Sequence, residues 1–66
     1  MTIDQVRAGV EAIRAVAADD EAAHAREDEL HQDVLRCIAT GEIDDAKACA
    51  AEALKTCDIE FARWCA

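Results

Sequence analysis

Two histidines and two carboxylates at helical spacing are the residues of this chain that could do chemistry. His24 and His31 are seven residues apart, so two turns of helix would put both imidazoles on one face. Each follows a carboxylate by three residues, Glu21 in the first case and Asp28 in the second. A carboxylate and an imidazole one turn apart can share a metal ion, and Glu-x-x-His is the helical element of di-iron carboxylate bundles. The spacing therefore defines a candidate metal site.

The same four residues have two other interpretations. In a chain that is 33% charged, they could form a solvated stretch rich in salt bridges. Paired imidazoles could also form a pH-sensitive seam between subunits, because they would repel each other once protonated. The ferritin-like pattern needs further glutamates on partner helices, and the helix predicted over about 45–64 offers only Glu52 and Glu60, with Asp58. We therefore favour the salt-bridged stretch, keep metal binding as the alternative, and expect no cofactor.

The cysteines carry a second candidate chemistry. Cys37, Cys49, Cys57 and Cys65 include no Cys-x-x-Cys pair, which is the spacing typical of structural zinc and of thiol redox motifs. Cys37 and Cys49 are equidistant from Ile43 and would face each other across a hairpin, where a disulfide could join them. In a reducing cytoplasm, the alternative is two buried thiols that pack as small hydrophobic side chains. We expect the thiols and keep the disulfide as the alternative.

The elements that position these residues follow from composition and from one turn signal. Sixteen alanines, two glycines and the absence of proline favour helix almost throughout. Gly41 can end one helix in the left-handed conformation, and Asp44 can cap the next. The sequence predicts an all-α helical hairpin with a first helix over about 3–40 and a second over about 45–64. The alternative is a three-helix monomer with a break near Asp19.

The unequal lengths of the two predicted helices indicate an oligomer. A helix of about 20 residues spans roughly 30 Å, so the second helix would cover the first only to about Asp20. The segment before Asp20 carries an apolar row at 3-4 spacing, and such a row left in water usually marks an interface. The row consists of Ile3, Val6, Val10, Ile13 and Ala17. We expect one small domain, residues 1–66, that assembles through this row into a homo-oligomeric helical bundle.

Charge and size limit the function. Fifteen acidic against seven basic residues give a net charge of −8, which argues against binding nucleic acid or anionic lipid by charge. A chain of 66 residues is too short for a multidomain enzyme or a roomy substrate cavity, and none of its apolar stretches approaches the ~18 residues of a membrane span. We expect a non-enzymatic interaction or regulatory module, without catalytic residues, whose partners are its own copies and another protein.

The densest acidic zone suggests a further alternative, a nucleic-acid mimic that inhibits a DNA-binding protein. The zone consists of Asp19, Asp20, Glu21, Glu27, Asp28, Glu29 and Asp33. Arg26 and Arg36 interrupt the zone, and acidic helices are commonly just soluble helices. We therefore favour the interaction module over the nucleic-acid mimic.

The runs Glu-Ala-Leu-Lys-Thr at 52–56 and Phe-Ala-Arg-Trp-Cys-Ala at 61–66 resemble the C-terminal region of small uncharacterised helical proteins of actinobacteria and their phages. The resemblance covers about the last third of the chain. The abundance of alanine and the preference for arginine over lysine agree with such an origin. The resemblance implies a cytoplasmic protein of unknown role and assigns no catalytic residue.

Overall fold

The computed structural model describes residues 1–63, which form three α-helices and one 3₁₀ turn. Helix α1 is Ile3–Ala15, α2 is Asp20–Thr40 and α3 is Ala46–Leu54. The 3₁₀ turn, Lys55–Asp58, continues α3, and residues 59–63 follow as a C-terminal arm. Three residues lie outside the described part: Trp64, Cys65 and Ala66. No strand occurs within residues 1–63, and the predicted all-α class is confirmed.

The continuous helix predicted over 3–40 is wrong, because the chain breaks between α1 and α2. Asp19 takes an extended backbone conformation, and its carboxylate accepts a hydrogen bond of 3.1 Å from the backbone amide of Ala22. This contact satisfies one of the amides that the first turn of a helix leaves unpaired. The structure therefore has the break near Asp19 that the sequence left as the alternative, and α1 is free to fold back along α2.

The second helix is also shorter than the predicted 45–64. Asp45, one residue later than the predicted cap, accepts a hydrogen bond of 3.0 Å from the Ala48 amide, and α3 ends at Leu54. The arm that follows brings Ile59 into the core and Arg63 onto α2. These tertiary contacts replace the helix that local propensity alone would favour. At the other end of the connection, Gly41 ends α2 at a φ of 76°, in the predicted left-handed conformation.

The apolar row of α1 lies at the centre of the core. Val6, Val10 and Ile13 are all 2% exposed or less within the single chain, and Ile3 and Ala17 pack against the same cluster. Helix α1 contacts both α2 and α3, which cover the row. The expected interface through this row is therefore corrected: three of its five side chains are buried within their own chain, and Ile3 and Ala17 are partly buried there. The interface was expected because an unbroken helix would have left the row in water.

The break gives a direct prediction. Replacing Asp19 with alanine removes the cap of α2 and should lower the free energy of unfolding by about 1 kcal/mol. Asp19→Ser keeps a capping oxygen and is the matched control, which should lose only a few tenths. Urea denaturation followed by circular dichroism measures both variants. Equal losses in the two variants would show that the Asp19 cap does not stabilise α2.

Candidate functional site

An apolar groove of about 240 Å³ lies between α2 and α3. Its lining residues are His31, Val34, Leu35, Ile38, Ala50, Ala53 and Leu54. Leu35 is 65% exposed, Leu54 62% and Ile38 39%. The chain has only 15 large apolar side chains, so three of them left in water form a conspicuous apolar surface. These neighbouring side chains make the groove the candidate functional site within residues 1–63.

The groove follows the stretch of α2 that lies beside α3. At 1.5 Å per residue, the 21 residues of α2 span about 31 Å and the nine residues of α3 about 13 Å. The short connection between them reverses the chain, so α3 lies along only part of α2. His31, Leu35 and Ile38 recur at spacings of four and three residues along one side of α2, over roughly two turns. The groove is therefore about two helical turns long.

A hydrogen-bond network connects the groove to the C-terminal arm. The Nε2 atom of His31 lies 2.9 Å from Thr56 Oγ1 and 3.4 Å from the Ala53 carbonyl oxygen. Thr56 is fully buried and lies in the 3₁₀ turn that precedes the arm. The imidazole of His31 therefore links the groove to that turn.

Arg63 closes the network from the arm. Its Nε and Nη2 atoms donate to the two carboxylate oxygens of Glu27 at 2.9 and 3.0 Å. Nη2 also donates to the carbonyl oxygens of Thr56 and Ile59 at 2.8 and 3.1 Å, and the guanidinium lies 3.8 Å from the centre of the Phe61 ring. Two parallel hydrogen bonds between an arginine and a carboxylate fix the relative orientation of the two groups. These contacts hold the arm against α2.

The electrostatics of this pair follow from its geometry. The Glu27 side chain is 7% exposed, yet the hydrogen bond from Arg63 holds the pKa of Glu27 below its ordinary value, against the opposing effect of burial. The same hydrogen bond raises the pKa of Arg63. Both groups are therefore charged at neutral pH. Glu27, which belongs to the densest acidic zone of the sequence, is therefore paired with a cation inside the fold.

The structure does not gather the four predicted metal ligands. His24 Nδ1 lies 3.6 Å from Asp28 Oδ2, one turn later, and His31 is bonded to Thr56. Within residues 1–63, no three His, Cys, Asp or Glu side chains form a group that could hold a metal ion. The set Glu21, His24, Asp28 and His31 thus gains no support from the geometry.

The cysteines of residues 1–63 are free thiols, which was the favoured prediction, and several carboxylates of the acidic zone have partners within the chain. Cys37 is half-buried and Cys49 buried, and both are free thiols, so no disulfide closes the hairpin. In the acidic zone, Asp19 caps α2, and Asp20 accepts a hydrogen bond of 3.1 Å from the Ala62 amide. Asp33 pairs with a neighbouring arginine at 3.2 Å. Four of the seven carboxylates of the zone therefore have partners within the chain: Asp19, Asp20, Glu27 and Asp33.

Comparison of the chain with protein families, curated proteins and solved structures finds no match. Across residues 1–63, every helix is too short or too polar to cross a lipid bilayer. The fold and the groove together define a small three-helix protein with an apolar surface at one side.

Proposed function

We propose that this protein is a small non-enzymatic interaction module that holds an apolar helical segment of another protein in the groove between α2 and α3. The observation that supports this proposal is the exposure of Leu35, Ile38 and Leu54 side by side. Burying a whole leucine side chain contributes about 1.5–3 kcal/mol. Since Leu35 and Leu54 are each about two-thirds exposed, covering them would contribute about 1–2 kcal/mol apiece.

The shape of the groove fits a helix. Two neighbouring helices form its walls, and a third helix can pack its ridges of side chains between them. A partner helix that presents apolar residues at i, i+3 or i+4, and i+7 covers about two turns, which is the length of the lined segment. Of the lining residues only His31 is polar, and its Nε2 atom already has a partner in Thr56. The groove therefore accepts an apolar face.

Charge favours a different protein over a second copy as the occupant. Each copy carries a net charge of −8, so two copies repel each other. Most basic side chains of residues 1–63 are already in ion pairs within the chain: Arg7, Arg14, Arg36, Lys55 and Arg63. A second copy would thus bring many carboxylates and, beyond these pairs, only the cations of Arg26 and Lys47 to match them. The homo-oligomer expected from the sequence becomes the competing outcome of the test.

The proposal is tested with a displayed library of 16-residue helical peptides that carry apolar residues at i, i+4 and i+7. Selection against the protein should give peptides whose binding shifts the amide NMR signals of α2 and α3. Leu35→Asn and Leu54→Asn should each weaken that binding about tenfold, as the loss of about 1.4 kcal/mol implies. Glu11→Gln, on the exposed side of α1, is the control and should bind normally.

Three results would contradict the proposal. The first is a selection without binders, and the second is binding that neither asparagine substitution weakens. The third is a dimer of the protein alone, measured by sedimentation equilibrium, that Leu35→Asn dissociates. That result would make a second copy the occupant of the groove.

A further inference from the structure

His31 joins one wall of the groove to the other. It lies on α2, and its Nε2 atom is 2.9 Å from Thr56 Oγ1 and 3.4 Å from the Ala53 carbonyl oxygen. Ala53 lines the groove together with Leu54, and Thr56 belongs to the 3₁₀ turn that follows them. The wall that α3 provides therefore depends on where this turn lies relative to α2.

The arm holds the same turn through its arginine. Arg63 Nη2 donates to the carbonyl oxygens of Thr56 and Ile59 at 2.8 and 3.1 Å. The same guanidinium donates to both carboxylate oxygens of Glu27 on α2. Thr56 thus contacts the groove through its hydroxyl group and the arm through its carbonyl group. The turn is a direct connection between the arm and the groove.

The arm also contacts α2 at a point far from the groove. The Ala62 amide donates to Asp20 Oδ1 at 3.1 Å, and Asp20 is the first residue of α2. His31 lies 11 residues later, about 16 Å along the helix, and the other α2 residues that line the groove lie beyond it. A peptide in the groove therefore does not reach the Ala62 amide, which reports whether the arm is docked.

We infer that docking of the arm and binding in the groove are coupled, so that each strengthens the other. This regulation of the groove rests on the proposed function. A partner that covers the half-buried His31 removes water that competes for its Nε2 atom, and hydrogen bonds are stronger in such surroundings. The turn is then held where the Thr56 carbonyl oxygen accepts from Arg63. Coupling of binding equilibria is reciprocal, so a docked arm also raises the affinity of the groove.

Detachment of the arm is the event that weakens the groove. It removes the hydrogen bonds of Arg63 from the turn and takes Ile59, which is 5% exposed, out of the core. The apparent affinity for a partner falls in proportion to the fraction of molecules whose arm is docked. Any event that detaches the arm therefore releases the partner.

The first experiment follows the Ala62 amide in the wild type and needs no variant. Its hydrogen exchange is measured by NMR with and without a saturating amount of a selected peptide. Exchange at Ala62 should slow about fivefold or more, which is the range usual for coupled sites. Any binder stabilises the whole fold, so the slowing must exceed that at the Gln5 amide, which Thr2 holds in the capping box of α1.

The second experiment measures the affinity of the same peptide for variants. Arg63→Lys keeps the positive charge, but three N–H donors cannot serve two carboxylate and two carbonyl oxygens, so the affinity should fall about three- to tenfold. Thr2→Ala is the matched control, because it removes the cap of α1 and destabilises the fold at a place outside the groove and the arm. Its affinity should equal that of the wild type. Circular dichroism shows that each variant is folded at the temperature of the titration.

The outcomes separate the coupling from the proposed function. Equal affinity of Arg63→Lys and the wild type, or slowing at Ala62 no greater than at Gln5, overturns the coupling and leaves the groove as a binding site. An equal loss of affinity in Thr2→Ala also overturns it, because overall stability would then be the cause. If Leu35→Asn binds the peptide as tightly as the wild type does, the proposed function itself fails.

Discussion

Replacing Ile13 with alanine is expected to unfold much of the protein at 25 °C. Ile13 is 1% exposed and is among the largest fully buried side chains. Replacing a buried isoleucine with alanine costs about 2–5 kcal/mol, and a domain of this size has only about 3–5 kcal/mol of stability in total. The helical circular dichroism signal should therefore be reduced in buffer, and what remains should disappear at low urea concentration.

Leu35→Ala is the matched control for this prediction. It removes a side chain of the same size from a position that is 65% exposed, so the free energy of unfolding should change by no more than about 0.5 kcal/mol. Equal stability of the two variants would show that the apolar row of α1 is not the core. A change in solution mass without unfolding in Ile13→Ala would restore the interface that the sequence suggested.

Glu27→Gln is expected to have the second-largest effect. The amide retains one acceptor oxygen but places an NH₂ group against the guanidinium of Arg63, so the bidentate pair is lost. A hydrogen bond to a charged group contributes about 1.5–3 kcal/mol, and the 35% exposure of the Arg63 side chain reduces this value. We expect a loss of about 1–2 kcal/mol, measured by urea denaturation. The amide signal of Ala62 should shift as the arm separates from α2.

The same pair predicts how stability depends on pH. The hydrogen bond from Arg63 lowers the pKa of Glu27 in the folded state below the value of 4.5 that applies to the unfolded chain. The ionised carboxylate therefore stabilises the fold above pH 4.5, and this contribution is lost as the pH falls through the folded pKa. Wild type should lose stability over that range, and Glu27→Gln should lose less. The pKa of Glu52 is also lowered, mainly by its hydrogen bond with Lys55, so some acid dependence remains in the variant.

Glu29→Gln is the control for both measurements on Glu27. It changes the same side-chain type on the same helix at an exposed position. Its stability and acid profile should match those of the wild type. If Glu29→Gln were as destabilising as Glu27→Gln, the effect would come from net charge rather than from the pair with Arg63.

Local signals in the sequence account for the ends of the helices better than for their packing. Gly41 ends α2 because only a residue without a side chain adopts a φ of 76° freely. The break before α2 also has a local signal, the capping carboxylate of Asp19. The alanine-rich stretch around it favours a continuous helix just as well. Burial of Val6, Val10 and Ile13 against α2 and α3 favours the broken helix over the continuous one. This contact joins distant parts of the chain, so a local sequence pattern cannot predict it.

The polar network shows what the pattern of residues could and could not predict. Glu27 lies on the same face of α2 as the buried Leu30 and Val34. A buried carboxylate requires a charged or hydrogen-bonding partner, so the sequence alone could predict that Glu27 has such a partner. The partner itself, Arg63, is 36 residues away and was expected on a continuing helix. The sequence also did not predict the groove, because the groove depends on how α2 and α3 pack side by side.

The pairing of Glu27 with Arg63 also has a consequence for synthesis. The ribosome adds Arg63 only after 36 further residues, which takes roughly 2–7 s at about 5–20 residues per second. The interval is longer for Asp20, because its partner Ala62 is added 42 residues later. During that interval the rest of α2 and all of α3 are translated, whereas Asp20 and Glu27 still lack their partners on the arm. These two carboxylates therefore find their partners only after the arm has been translated.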